Sequence, residues 1–154
     1  MTDDEFLLAF EACTLTRADW THAAHIRMAW LYLTRTTTTT EGLGRVRQGI
    51  LKLNAEIVRQ LHSQGLTIPH DPRGLDGYHE TVTTAFVTVI ASRVQTGEDF
   101  DTFRERNPDL FDRTFPALLK HYSPERLYSA AAKATFLEPD LSPLPSGCGS
   151  HPSS

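Results

Sequence analysis

A chain of 154 residues, 40% hydrophobic and 22% charged, is sized for one domain with a substantial core. Its formal charge of −4 and scattered basic residues argue against a nucleic-acid or anionic-membrane surface, which needs a concentrated cationic patch. No apolar run approaches the ~20 residues of a membrane-spanning helix.

The acidic start, MTDDEFLLAFEA, lacks the basic flank of an export signal. Cys13 falls in a helical pattern and Cys148 in a Ser/Gly/Pro tail, settings too dissimilar for a structural disulfide. A reducing cytoplasm is therefore the expected home.

Residues 3–13 read as a first helix, with Phe6, Leu7, Phe10 and Cys13 at helical spacing after acidic residues. A second, over residues 21–34, is apolar on most sides and so predicted to be central. The threonine run TRTTTTT, residues 34–40, reads as an exposed loop. A third helix, residues 41–63, carries Val46, Ile50, Leu53, Ile57, Val58 and Leu61 on one face and stops at Gly65. The Pro/Gly-rich connection 65–77 leads to a fourth helix, about 77–95, with Tyr78, Val82, Phe86, Val89 and Ile90 as a buried stripe.

Short helices are expected at 99–106 and 110–120. SPER then opens a last one, with Ser123 as N-cap and Pro124 at the first helical position. The predicted fold is all-α: a bundle of four main helices plus shorter ones over residues 1–144, with a loose Pro/Ser/Gly tail over 145–154.

Chemistry concentrates in two stretches. In DWTHAAHIRMAW, His22 and His25 lie three apart, so their Cβ atoms are about 5–6 Å from each other on one helical face. In GYHETVTTAF, His79 opens the fourth helix on the side of Val82 and Phe86. Two helices of a bundle can bring such ligands together, and three neutral imidazoles suffice for zinc, iron or copper.

Asp19 and Asp76 each stand three residues before a histidine. They read as N-caps, which would place both histidines at positive helix ends that favour the neutral, metal-binding ring. The same acid-x-x-His spacing admits a dinuclear-iron variant.

Glu11, one turn beyond Leu7 and Leu8, is a candidate fourth ligand or else a rim partner of Arg17 or Arg27. Glu80 is the candidate base for a metal-bound water, or a first-turn glutamate favoured by the helix dipole. Asn54 interrupts the apolar face of the third helix and Tyr78 could wall a pocket, so both are candidate substrate contacts. His121 ends a helix, where a cation is favoured, and is a marginal extra ligand. Signatures of phosphate loops, nucleophile elbows, C-x-x-C pairs and H-E-x-x-H helices are absent.

The run FEACTL, DWTHAAHIRMAWLYL, GYHETVT, HYSPERL and PDLSPLP resembles an uncharacterised family of small bacterial helical proteins, a likeness reaching to about Pro145 that implies no activity. The expected architecture also resembles the DinB-like metal-binding bundles, in which separate helices each supply a histidine. The spacing differs here, so this is an analogy of fold.

The leading expectation is a metal-dependent enzyme acting on a small-molecule substrate, as a hydrolase or oxygenase. His22, His25 and His79 hold one zinc, iron or copper ion, with Glu11 as fourth ligand and Glu80 as base. The alternative is a non-catalytic helical ligand-binding or adaptor module whose histidines satisfy polar needs in the core. The nearly all-apolar second helix also offers surface that a homodimer interface would cover.

Overall fold

The chain folds entirely as helices and loops over residues 1–146, which the computed structural model describes. Four longer helices carry the core: α1 (Asp3–Glu11), α2 (His22–Arg35), α3 (Thr39–Ser63) and α4 (Glu80–Arg93). Shorter pieces follow as α5 (Phe100–Arg106), a 3₁₀ turn (Pro108–Phe111), α6 (Pro116–Leu119), α7 (Pro124–Leu127) and α8 (Ala130–Ala134). The expected tail lies almost wholly outside the described residues, as does Cys148. No described helix is long and apolar enough to cross a membrane.

α2 sits in the middle, against α1, α3, α4 and the 3₁₀ turn. Its burial follows from its composition: Ala24, Ile26, Met28, Ala29, Trp30, Leu31 and Tyr32 are all buried. α3 contributes a single stripe, Val46, Ile50, Leu53 and Ile57, at the 4-3-4 spacing of one helical face. α4 buries Val82, Ala85, Phe86, Val87, Val89 and Ile90, so its β-branched run is that of a core helix. These side chains join into one hydrophobic core with Phe6 and Phe10 of α1, Phe103, Leu110, Leu118, Tyr122 and Leu127.

α1 approaches α3 closely because Gly49 has no side chain. A Cβ there would stand 2.3 Å from Phe10 Cε2. The end of α1 is a Schellman turn: Thr14 N–H donates to Ala9 O (2.9 Å), with Cys13 left-handed at φ 58°. The glycine usual at that position is absent.

Several expected boundaries move, each for a local reason. Thr21, not Asp19, caps α2, its Oγ1 accepting from Ala24 N–H at 3.1 Å, and His22 becomes the first residue of the helix. Asp19 instead belongs to a turn in which its own N–H donates to Thr16. Asp76 does not cap α4 either; it lies 3.5 Å from His70 Nδ1 and 3.8 Å from Lys133 Nζ. The cap of α4 is His79 itself, whose Nδ1 accepts from Val82 N–H at 3.1 Å.

Thr39 and Thr40 are helical, because Thr38 caps α3 by accepting from Glu41 N–H (3.0 Å) and the Glu41 carboxylate accepts from Thr37 Oγ1–H (3.1 Å). The single helix expected over 110–120 is broken in two. Pro116 disfavours helical backbone at the residue before it, and Phe115 takes the left-handed conformation (φ 63°, ψ 45°). Ser123 caps α7 as the sequence predicts, accepting from Arg126 N–H at 3.3 Å.

Candidate functional site

His22 and His25 leave α2 in different company. A carbonyl can only accept, so His22 Nε2, 2.8 Å from Leu110 O, must carry the proton. Its ring packs between Phe86 and Phe115, both with centroids 5.5 Å away. His25 folds back along its own helix, donating Nδ1–H to Thr21 O at 2.7 Å and stacking beneath Trp20 at 3.7 Å. Burial lowers both pKa values, that of His25 to about 4, with the neighbouring His22 adding to the effect. Both rings are therefore neutral at pH 7.

His79 is buried, as its position beside Val82 and Phe86 predicts, but its lone pair is committed. Because Nδ1 accepts from Val82 N–H, the neutral ring carries its proton on Nε2 and has no free nitrogen for a metal. Nε2–H is buried without a hydrogen-bond partner. The Leu127 backbone stands near enough to favour the charged ring, yet burial outweighs it, with Lys133 also opposing the charge, and the pKa is lowered.

Glu11 is exposed, and its carboxylate accepts from Tyr32 Oη at 2.5 Å. Of the two arginines suggested as its partner, Arg27 pairs instead with Asp3 at 2.7 Å, and Arg17 makes no ion pair among the described residues. Among the described residues no group of three or more His, Cys, Asp or Glu side chains is arranged to hold a metal ion. The donor set expected for zinc, iron or copper does not fit as it stands.

Glu80 is equally occupied. Arg47 binds it through Nε (3.0 Å) and Nη2 (2.7 Å), Tyr78 Oη donates at 2.5 Å and Thr84 Oγ1 at 3.3 Å. The Arg47 guanidinium, ahead of Tyr78, holds its pKa below the usual glutamate value, the wrong direction for a general base near neutrality. Burial and then Glu80 push the Tyr78 phenol up to about 12. This network pins α3 to α4. Asn54 sits half-buried on the flank of α3 and, like Tyr78, lines neither cavity described here. His121 Nδ1 lies 3.2 Å from Ser142 O, remote in sequence and partners from the other histidines.

A concavity lies elsewhere, between α1, the start of α2 and α5. Its volume is about 540 Å³, in the range of small-molecule sites. Phe6 and Phe100 form the aromatic part of the lining, with the Arg27 guanidinium 4.7 Å over Phe6 and 6.0 Å from Phe100. Arg27 is fixed there by Asp3 and by Met1 O at 3.0 Å. Asp19, Asp99, Asp101 and Arg104 complete the charged side chains of the lining; Asp99 caps α5 on Thr102 N–H, and none of the four has an ion-pair partner among the described residues.

Sequence reasoning missed these groups because they come from three separate helices. Trp20, two residues before the first histidine, was the one nearby aromatic that could have signalled the stack on His25. No protein-family model, curated protein or solved structure matches the chain.

Proposed function

We propose that this protein is a non-catalytic helical module that binds a small polar molecule in the cleft between α1, α2 and α5, its histidines serving the fold. One observation carries the non-catalytic half: His22, His25 and His79 are each engaged by backbone at a different place, on Leu110 O, Thr21 O and Val82 N–H. A three-histidine centre needs three convergent free lone pairs, and the one on His79 is taken by Val82 N–H. For the ligand, the cleft offers an aromatic surface with three carboxylates outside any ion pair among the described residues, Asp19, Asp101 and the α5 cap Asp99, and one such guanidinium, Arg104. That pattern suits a small zwitterion or organic cation with an apolar portion.

The test is a thermal-shift and NMR titration of the full chain with free amino acids and small amines. Stabilisation by a zwitterion, lost in Asp101→Asn and weakened in Arg104→Met, supports the reading. Equal responses in wild type and both variants overturn the assignment to this cleft.

A second reading, a metal on His22 and His25 completed by water or substrate, has one observation in its favour. Each ring donates one N–H to a backbone carbonyl and keeps its other nitrogen as an acceptor, the outer-shell arrangement common to metal-bound histidines. Zinc or cobalt binding abolished in His22→Ala and His25→Ala would support it, and no binding by the folded protein would remove it.

A further inference from the structure

A second concavity, of about 220 Å³, lies between the end of α4 and the segment that follows α8. It is lined by Val89, Ser92 and Pro143 together with Arg93, Lys120 and His121. Every charged or titratable lining group is basic, in a chain whose formal charge is −4. The cluster brings together residues from positions 93 and 120–121, which is why the sequence, with its scattered basic residues, gave no sign of it.

The walls are held in place. Arg93 is gripped by Asp109 through Nη1 (2.7 Å) and Nη2 (2.9 Å), and Nη1 also reaches Asn107 Oδ1 at 3.2 Å. On the other side the backbone N–H groups of Leu141 and Ser142 donate to His121 O (2.9 and 3.3 Å), and Ser142 Oγ donates to Lys120 O (3.0 Å). Asp140 anchors the same segment on Ser123 N–H and Oγ at 2.8 and 2.6 Å. The concavity is thus part of the folded architecture.

Asp109 offsets Arg93 and also feels the Lys120 charge, but Lys120 itself makes no ion pair within 4 Å among the described residues. His121 has its Nδ1 against Ser142 O and Oγ (3.2 and 3.1 Å), and its Nε2 has no protein partner among the described residues. Positive charge with polar donors and room for a few waters is what an oxyanion requires.

We infer that this concavity is a binding site for a small oxyanion, a phosphate group above all, held by Lys120 and His121 beside the Arg93–Asp109 pair. With His121 Nδ1–H donating to Ser142 O, Nε2 is an acceptor, so a phosphate can set charged oxygens on the Lys120 ammonium and donate a P–OH to His121, a pairing that an ionised carboxylate lacks. The site is independent of the cleft at α1, α2 and α5, so either assignment can fail without the other.

The test is a titration of the uniformly ¹⁵N-labelled full chain with inorganic phosphate, at ionic strength held constant with chloride. The expected result is saturable amide shifts confined to Ser92, Lys120–His121 and Ser142–Leu144. Affinity should fall at least tenfold in Lys120→Met and be unchanged in Lys52→Met, which removes an exposed lysine elsewhere. Lys120 is itself exposed, so its loss leaves the fold intact. Shifts that do not saturate, that spread over the surface, or that persist in Lys120→Met would overturn the proposal.

Discussion

Acidification from pH 7 to 5 should destabilise this protein well before its carboxylates titrate, and His25 should be the largest single source. Its ring is held neutral by burial beneath Trp20, with a pKa of about 4 against 6.5 in the unfolded chain. Between those values the unfolded state binds the proton and the folded state does not, so stability rises with pH across the window. The contribution is fully present above pH 6.5 and is lost progressively as pH falls toward 4.

At 1.36 kcal/mol per pH unit the whole window is worth roughly 3 kcal/mol. The ring retains some exposure and solvent screens it, so about 1–2 kcal/mol should appear between pH 7 and 5. His22 and His79, whose pKa values are also lowered, act in the same direction. Glu80 and Asp109 are held low by arginines and matter only below about pH 4.5.

Urea unfolding followed by far-UV circular dichroism at pH 7, 6 and 5 measures the loss, and imidazole NMR titration measures the pKa directly. His25→Leu should keep the packing on Trp20 and stay within about 1 kcal/mol of wild type at pH 7. Thr21 O retains its backbone bond from His25 N–H, so nothing is left unpaired. The variant should then lose about 1–2 kcal/mol less than wild type on going to pH 5. Identical pH profiles for the two proteins, or a His25 that titrates near 6.5, would refute the reasoning.

Other substitutions test other joints of the fold. His79→Asn offers an oxygen to Val82 N–H and should cost little, whereas His79→Ala removes both the α4 cap and a buried ring and should cost about 2–4 kcal/mol by urea unfolding. Gly49→Ala drives a methyl into Phe10, which is fully buried, and should cost about 1–3 kcal/mol or displace α1, visible as altered aromatic shifts. Thr81→Val loses the bonds of a buried hydroxyl to Thr135 O (2.9 Å) and Leu137 N–H (3.0 Å), and a fall of about 1–2 kcal/mol is expected. Cys13→Gly relieves a left-handed residue at the end of α1 and should raise thermal stability modestly.

The all-helical fold and the central place of α2 could be read from the sequence because each rests on periodicity. The 4-3-4 stripe of α3 and the mostly apolar surface of α2 leave few ways to bury both. The caps were less legible. Thr21 and His79 lie within three residues of the aspartates that seemed to serve, and only backbone geometry tells which side chain reaches the open N–H.

His79 shows the difficulty most plainly. The sequence places it correctly at the start of α4 and on the buried side, but cannot reveal that its Nδ1 is consumed by Val82 N–H. Glu80 and Glu11 escaped in the same way, since Arg47 and Tyr32 meet them only through folding. The cleft was invisible for a related reason: Asp3, Arg27, Phe100 and Arg104 become neighbours through packing of α1, α2 and α5.

A long-range ¹H–¹⁵N spectrum of the imidazole rings, on protein purified without a histidine tag and with or without one equivalent of zinc, tests the account most directly. Neutral rings are expected at pH 7, with the proton on Nε2 of His22, Nδ1 of His25 and Nε2 of His79, all unchanged by zinc. A metal-shifted nitrogen on His79, moving together with His22 and His25, would contradict it.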